Sequence, residues 1–303
     1  MTAVLLEGAA IAAGLRGRLM PDLDALRARG VRPKVVAINN VDNAAARVYL
    51  RMQQGLCEES GVAFELREIH RNSTEAEILA HLKVLNEDPK VTGITVHLPL
   101  PEGIDPFRIL RCIAPFKDVE GTHPHNLGML SYGYHDPSPC AARAAVEILK
   151  SVRPDLAGLE VVIVGHSELV GKPIGLLLLQ SRRGAATPTI CHIATRDLAA
   201  HTRRADVLFA AAGKAELIHG DMIKPGAVVI DIGVNSVPQL DAAGKPVVDA
   251  KGKPKRRLVG DVHHDEAAKI ASHLTPVPGG VGPVTMAVLL QNIVACAKIQ
   301  AGA

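Results

Sequence analysis

The chain has 303 residues, of which 48% are apolar, and its formal net charge at pH 7 is only +3. A chain of this length has room for about two domains with substantial cores, and the composition is typical of a globular protein. Aromatic residues are scarce, and the one tight basic cluster, at 253–257, lies beside turn residues. This pattern argues against a nucleic-acid-binding protein.

The five cysteines are scattered, and no two of them have the spacing of metal ligands. We therefore expect a reduced, cytoplasmic protein with no metal site. The apolar N-terminus carries Glu7 early and lacks a basic stretch, so it predicts a strand and a first helix and not a signal peptide. No apolar run approaches the length that spans a membrane, and no membrane partner is expected.

Helical and strand patterns alternate through the first half of the chain. Helices are predicted at 11–29, 44–60 and 73–86, the last one capped by Ser73, and strands at 34–39, 63–69 and 91–98. This βαβαβ order predicts a parallel sheet with helices on both faces.

The second half begins after a loop-rich link at 117–139. A helix is predicted at 141–150, strands at 161–164, 189–192, 207–211 and 227–232, an exposed hairpin at 244–255, and a last helix at 284–299. The order again predicts a parallel sheet.

The segment VVIVGHSELVGKP, at 161–173, combines a buried strand, a glycine turn and the start of an apolar helix. Unpaired N–H groups and the helix dipole at such a turn favour anions, and dinucleotide pyrophosphates are bound this way. The pattern is Gly-x-Ser-x-x-x-Gly and differs from the usual Gly-x-Gly-x-x-Gly, so a plain buried turn is the alternative interpretation.

Three further segments accompany this turn, in chain order: VHLPLP at 96–101, KDVEG at 117–121 and PVPGGVGPVT at 276–285. With it they resemble the methylenetetrahydrofolate dehydrogenase/cyclohydrolase family over essentially the whole chain. The resemblance implies a two-domain α/β fold with the active site in the cleft. An N-terminal βα catalytic domain (1–140 and 284–303) precedes a Rossmann-like dinucleotide domain (141–283), and the last helix returns to the first domain.

The same resemblance implies an activity. Members oxidise 5,10-methylenetetrahydrofolate by hydride transfer to a nicotinamide dinucleotide, usually NADP, and many hydrolyse the methenyl product to 10-formyltetrahydrofolate. A tetrahydrofolate-type substrate and a homodimer are therefore expected. NAD remains possible as the cofactor.

The chain departs from the family pattern at the positions that carry the chemistry. The family helix reads Ser-x-x-Tyr-x-x-x-Lys, whereas this chain has Ala46, Tyr49 and Gln53 there. The family glutamine before Leu-Pro is His97, and the second acid of the KDVDG segment is Glu120. By resemblance, the catalytic candidates are Tyr49, Gln53, His97 and Glu120, and the substrate-binding candidates are Tyr49, Leu98, Pro99, Glu120, Pro278 and Gly279.

The two family reactions need different groups. Hydride removal from a carbon between two nitrogens needs close positioning but no base. Hydrolysis needs proton transfers, which an amide such as Gln53 cannot perform. We therefore expect a dehydrogenase with doubtful cyclohydrolase activity. The alternatives are a bifunctional enzyme that uses His97 as its base, and an altered paralogue that acts on another pterin or only binds its ligand.

The cofactor candidates follow the predicted strands of the second half. They are Gly165, His166, Ser167, Gly171, Pro173, Thr195, Ala212, Gly213, Gly233, Val234, Gly280, Gly282 and Thr285. No acid stands at the end of the 189–192 strand, where NAD enzymes hold the ribose hydroxyl. The sequence therefore favours NADP, with Thr195, Arg196, Arg182 or Arg183 near its 2′-phosphate.

Overall fold

The computed structural model describes residues 2–41, 46–181, 183–241, 245–248, 252 and 254–302. Within these residues the strands and helices, in chain order, are β1 (Val4–Leu5), α1 (Gly8–Ala28), β2 (Lys34–Asn40), α2 (Ala46–Ser60), β3 (Ala63–Ile69), α3 (Glu75–Glu87), β4 (Gly93–Val96), α4 (Pro106–Leu110), α5 (Pro124–Ser131), α6 (Cys140–Val152), β5 (Glu160–Val164), α7 (Gly171–Leu178), β6 (Thr187–Cys191), α8 (Leu198–Thr202), β7 (Val207–Ala210), β8 (Val228–Asp231), β9 (Asn235–Pro238), β10 (Arg256–Val259), α9 (His264–Ala267), β11 (His273–Leu274) and α10 (Val281–Gln300).

Internal contacts divide the chain into two compact units. The three-stranded unit comprises Ala12–Cys140 and Met286–Ala303, and the six-stranded unit comprises Met1–Ile11 and Ala141–Thr285. The carboxyl-terminal part of α10 thus belongs with the first half of the chain, and Lys298 Nζ pairs with Asp22 Oδ1 of α1 at 2.8 Å. The predicted architecture, two α/β units with a returning last helix, is confirmed.

The three-stranded unit is built on a parallel sheet in the order β3-β2-β4. All of β2 after Lys34 is buried, because a central parallel strand is covered on both faces. The helix predicted from Ser73 begins one residue later. Thr74 caps α3 with its hydroxyl, which accepts from Glu77 N at 3.3 Å, while Glu77 Oε2 accepts from Thr74 N at 2.7 Å. Such a reciprocal capping box satisfies two donors at once.

One segment of this unit differs from the sequence expectation, and one cannot be compared with it. The loop-rich link predicted at 117–139 contains α5, whose start is favoured by Pro124 at the first helical position and by the His123 side chain, which accepts from His125 N at 2.9 Å. The predicted start of α2 at 44–45 lies outside the described residues.

The six-stranded unit has a fully parallel sheet in the order β1-β11-β8-β7-β5-β6. Its first strand comes from the N-terminus: Val4 and Leu5 pair in register with His273 and Leu274. The two compact units therefore differ from the predicted domains at the N-terminus. The first strand was expected in the first domain, but it pairs with the sheet of the second. Assigning separate functions to the two domains stays a prediction.

The hairpin predicted at 244–255 lies partly outside the described residues. The strands on either side of it, β9 and β10, pair antiparallel, with Asn235 opposite Val259.

Helix α10 is the one described helix that is long and apolar enough to cross a membrane by length and composition. The expectation that no apolar run approaches that length is therefore wrong for this helix. However, 67% of its most apolar window is buried inside the protein, and a helix that is apolar all round is what the core of a globular protein requires.

Candidate functional site

The carboxyl edge of the six-stranded sheet gathers most of the predicted cofactor residues. The chain leaves β5 for β6 on one side and then returns to β7 on the other side. Ligands bind at such a switch point in open α/β sheets, outside the carboxyl ends of the strands. Four strand ends carry the candidates: β5 is followed by Gly165, His166 and Ser167, β6 by Thr195, β7 by Ala212 and Gly213, and β8 by Gly233 and Val234.

The turn after β5 depends on two glycines, which let neighbouring backbone segments pack closely. Gly165 has φ +123°, and a Cβ on it would collide with the carbonyl oxygen of Ala211. A Cβ on Gly171 would likewise collide with the carbonyl oxygen of Gly165. No side chain caps α7, which begins at Gly171 and contains Pro173. Ser167 lies against this end of the helix, with its Oγ accepting from Val170 N at 3.2 Å and its carbonyl oxygen accepting from Lys172 N at 3.1 Å. Anion binding at this helix start stays a prediction.

The turn after β5 and the loop after β6 bring two imidazoles near each other. The His166 and His192 rings are 5.0 Å apart. His192 Nδ1 accepts from Ala194 N at 3.2 Å, and Thr195 Oγ1 accepts from His192 N at 2.8 Å. Thr195 therefore shapes this loop. Arg182, one of the residues expected near a 2′-phosphate, lies outside the described residues.

The remaining candidates lie around the start of α10. Gly279 O accepts from Gly8 N at 2.9 Å, and Gly280 N donates to Pro276 O at 2.9 Å. Thr285 donates its hydroxyl to Val281 O at 3.1 Å, one turn earlier in α10. Pro278 belongs to the same segment, so the two substrate candidates Pro278 and Gly279 are in the six-stranded unit, as are Gly280 and Gly282.

Asp261, which sequence reasoning missed, joins the cofactor loops. Its Oδ2 accepts from Ala212 N at 2.6 Å and from Gly213 N at 2.9 Å, and its Oδ1 accepts from Asn235 Nδ2 at 2.8 Å. The side chain is fully buried. This carboxylate therefore holds the backbone after β7 and the segment after β8 in one arrangement.

A second buried acid, Asp231 at the end of β8, binds the backbone around Asp261. Its carboxylate accepts from Gly233 N at 3.0 Å, Asp261 N at 3.0 Å and Val262 N at 2.8 Å. Burial raises the pKa of Asp231 to about 7, although these three N–H groups favour the ionised form and oppose the rise. The sequence signal for Asp231 is an acid at the end of an apolar strand, where the side chain reaches the carboxyl edge.

The three-stranded unit brings Tyr49, Gln53 and His97 together. His97 Nε2 lies 3.0 Å from Gln53 Oε1, and both side chains are buried. The Tyr49 and His97 rings meet edge to face, with their centroids 5.6 Å apart. Because an amide oxygen can only accept, His97 carries its proton on Nε2 and keeps the lone pair on Nδ1.

This cluster is uncharged at neutral pH. Burial lowers the pKa of His97 to about 4. The pKa of Tyr49 is raised well above its ordinary value by burial and then by Glu120 and Cys140, while the nearby Gln53 amide opposes that rise. The site therefore offers hydrogen-bonding groups in place of a cation.

Glu120 belongs to the same unit as this cluster, and its charge helps to raise the pKa of the Tyr49 phenol. Removal of water from around the carboxyl, followed by repulsion from Asp118, raises the pKa of Glu120 to about 8. Asp118 Oδ2 accepts from His123 N at 2.7 Å and from Asn126 Nδ2 at 2.9 Å. Leu98 and Pro99, the remaining substrate candidates, directly follow His97.

Asn292 of α10 is a second residue that sequence reasoning missed. Its Nδ2 donates to the carbonyl oxygens of Val119 and Ser138, both at 2.8 Å, and its Oδ1 accepts from Ser138 N at 3.2 Å. This buried amide joins the segment that carries Glu120 to the segment before Cys140. A lone Asn in an apolar helix is the only signal for it in the sequence.

No group of three or more His, Cys, Asp or Glu side chains among the described residues is arranged to hold a metal ion. The five cysteines are free thiols.

Both units match models of one protein family. Residues 6–120 match the catalytic domain of tetrahydrofolate dehydrogenase/cyclohydrolase, and residues 139–301 match its NAD(P)-binding domain. The bifunctional protein FolD 2 of Mesorhizobium japonicum is 45% identical over 287 residues, which cover 95% of this chain and 89% of that protein.

Solved structures agree with this match. The bifunctional FolD enzyme of Campylobacter jejuni is 38% identical, with a TM-score of 0.86 and coverage of 98% of this chain and 99% of that one. The FolD of Trypanosoma brucei, solved with NADP and an inhibitor, is 34% identical, with a TM-score of 0.88 and full coverage of both chains. The chain therefore belongs to the tetrahydrofolate dehydrogenase/cyclohydrolase family.

Proposed function

We propose that this protein oxidises 5,10-methylenetetrahydrofolate to 5,10-methenyltetrahydrofolate by hydride transfer to NADP. The observation that carries the proposal is the match of both family domains, in order and over nearly the whole chain. The supporting geometry is a glycine cradle at the switch point of one sheet, in one unit, and a cluster of Tyr49, Gln53, His97 and Glu120 in the other.

The proposed redox step suits an uncharged cluster. Hydride loss leaves a cation stabilised by two nitrogens, so the protein has to position the carbon and needs no base. Tyr49 supplies an aromatic face with a hydroxyl, and Leu98 and Pro99 supply apolar contacts. Once it has lost its proton, the Glu120 carboxylate would accept hydrogen bonds from the N–H groups of the pterin edge. In the ligand-free protein its pKa of about 8 opposes that loss, so pterin binding would lower it.

NADP is favoured over NAD by the loop after β6. No acid follows Cys191, the last residue of that strand, whereas a dehydrogenase that selects NAD places an acid there for the ribose hydroxyl. His166 and Thr195 lie on the turns after β5 and β6, and Arg183 and Arg196 are nearby in sequence. These residues would receive the 2′-phosphate of NADP.

A second candidate function adds hydrolysis of the methenyl product. The 3.0 Å contact between Gln53 Oε1 and His97 Nε2 favours it, because it leaves the His97 Nδ1 lone pair available as a base. The pKa of His97 of about 4 makes it a weak base. We therefore expect hydrolysis to be slower than hydride transfer. Another pterin as the true substrate, or ligand binding without turnover, is the remaining alternative.

An absorbance assay for methenyl formation tests the proposal, with NADP and NAD compared at equal concentration. We expect turnover with both dinucleotides and a higher kcat/KM for NADP. Folate binding without turnover would leave a binding protein, and strong activity restricted to another reduced pterin would identify an altered substrate. A large preference for NAD would overturn the cofactor assignment alone.

The assembly and location belong to the same proposal. We infer a cytoplasmic homodimer that binds neither nucleic acid nor membranes, on the strength of the family resemblance, the small net charge and the absence of disulfides among the described cysteines. Light scattering coupled to size-exclusion chromatography would give twice the chain mass of 32.0 kDa if the dimer forms.

A further inference from the structure

One face of the three-stranded sheet is unusually polar for a buried surface. β2 and β4 pair in register, with Ala37 opposite Thr95 and Ile38 opposite Val96. Because side chains alternate along a strand, Ala37 and Asn39 share a face with Thr95 and His97. Ala37 packs with Leu50 of α2, so this is the face that α2 covers.

Three side-chain atoms between this face and α2 have no hydrogen-bond partner in the described protein. They are Asn39 Oδ1, Thr95 Oγ1 and Gln53 Nε2. The three side chains are 4%, 1% and 1% exposed. An unpaired buried polar atom destabilises the fold, so native proteins rarely leave several in one place without a bound partner.

The three atoms complement one another and a single water. Gln53 Nε2 donates, Asn39 Oδ1 accepts, and the Thr95 hydroxyl can do either. A buried water typically makes about three hydrogen bonds to polar groups that would otherwise be unpaired. Asn39 follows Ile38, whose carbonyl accepts from His97 N at 2.9 Å, and Gln53 bonds the His97 ring, so such a water would lie beside His97.

We propose that Asn39, Thr95 and Gln53 bind an ordered water beside His97, and that this water serves the hydrolytic half of the proposed function. Among these three residues, the resemblance to the family pointed only to Gln53. The site thus replaces an ammonium group with a water held by two amides and a hydroxyl.

The proposal rests on the proposed folate reaction for its chemical step. The water oxygen would bond to the methenyl carbon while one water proton passes to His97 Nδ1. The positive charge of the substrate then moves onto the imidazole, so the buried site gains no net charge. When the carbon–nitrogen bond breaks, that proton goes to the departing nitrogen, and the hydroxyl proton on the carbon is released as the formyl carbonyl forms.

A high-resolution crystal structure of the unliganded protein tests the binding site without any assay. We expect electron density for a water within hydrogen-bond distance of at least two of the three atoms. An empty, well-ordered site, or the three atoms paired with one another, would overturn the proposal. This result does not depend on whether the protein turns over folate.

The Thr95→Val variant, which keeps side-chain shape and removes the hydroxyl, gives an independent test. If water satisfies the hydroxyl, Tm should fall, as it should in the control Thr92→Val, which loses a hydroxyl that accepts from Lys34 N at 3.0 Å. If the hydroxyl is unpaired, Tm should rise, and the proposal fails.

The role of the water is measured by a ratio of rates. Thr95→Val should lower the rate of methenyl hydrolysis relative to hydride transfer at least fivefold. An unchanged ratio, or a wild-type protein that transfers hydride but never hydrolyses, would remove the catalytic role. A protein that transfers no hydride would refute the proposed function instead and leave the crystallographic result standing.

Discussion

Gln53 is a neutral amide at the position where the family resemblance implies a lysine. Its neighbours His97 and Tyr49 are also uncharged at neutral pH, since burial lowers the pKa of the imidazole and raises that of the phenol. A lysine placed at this buried position would lose its proton more easily than in water, because desolvation disfavours the charged form. Such a lysine could move protons near neutral pH.

We predict that Gln53→Lys raises methenyl hydrolysis relative to hydride transfer by about ten- to a hundredfold, within the usual range for a positioned acid or base. Single-turnover hydrolysis of methenyltetrahydrofolate measures the effect. The matched control is Gln53→Met, which has similar length and no proton to exchange. An equal gain in both variants would show that shape, and not the amine, limits the reaction.

Asp261 is not itself a predicted cofactor-binding residue, yet it fixes the positions of two residues that are, Ala212 and Gly213. Replacing it by Asn keeps the shape of the side chain but turns one oxygen into a donor facing Ala212 N and Gly213 N or Asn235 Nδ2. A hydrogen bond to a charged group contributes about 1.5–3 kcal/mol. We predict that Asp261→Asn raises the KM for the dinucleotide about ten- to a hundredfold, with a smaller change in the KM for folate.

The control for this prediction is Asp265→Asn, since the Asp265 side chain is 87% exposed. Steady-state kinetics with each substrate varied in turn would separate the two effects. If both KM values rise together in the Asp261 variant, the residue supports the whole fold and has no particular influence on the cofactor loops.

Helices and strands with strong local patterns were predictable. β3 was predicted at its observed bounds, 63–69, because apolar and polar residues alternate from Phe64 to Arg67 and the segment is bounded by Gly61 and an Asn-Ser turn. The N-terminal strand was expected, but not its place in the second sheet, and β11 was not predicted, because a strand of two residues has no periodicity to detect. Their pairing comes from the tertiary structure, which also explains why the N-terminus joins the second sheet.

The start of α3 shows how a local rule can miss by one residue. Ser73 and Thr74 both suit a cap, but only Thr74 stands three residues before a glutamate that can reach back. We predict that Thr74→Ala lowers the free energy of unfolding by about 1 kcal/mol, as measured by urea denaturation. Ser73→Ala should cost less, since its hydroxyl only accepts from His70 N at an exposed turn. A larger loss of stability in Ser73→Ala than in Thr74→Ala would contradict the observed cap.

Part of the candidate site was also predictable from the sequence. The residues after β5, β6, β7 and β8 could be assigned to one edge because parallel strands all end there. The contact of Gln53 with His97 was expected from the family resemblance. Asp261, Asn292 and the polar set of Asn39 and Thr95 were missed, because each acts through neighbours that are distant in sequence.

Over the whole molecule, the shifted pKa values of three groups link stability to pH between about 4 and 8. Glu120 and Asp231 have ordinary pKa values of 4.5 and 3.8, raised in the folded protein to about 8 and about 7. For such acids the unfolded chain releases its proton first, so stability falls as pH rises from the lower value to the higher one. His97 acts in the opposite direction: its pKa falls from 6.5 to about 4, so its contribution is lost below pH 6.5.

Between pH 6.5 and 8 these two acids dominate, so Tm should decline over this range. Above it the decline should continue, because burial raises the pKa values of the Cys57, Cys140 and Cys296 thiols as well. Each such proton is worth at most about 1.4 kcal/mol per pH unit. Glu120 belongs to the three-stranded unit and Asp231 to the six-stranded unit, so both units should weaken. We predict that Glu120→Gln makes the decline shallower, whereas Glu87→Gln, the same charge change at an exposed position, does not. Calorimetry from pH 5 to 9 measures this, and a Tm that rises between pH 6.5 and 8 would show that neither acid holds its proton in the folded protein.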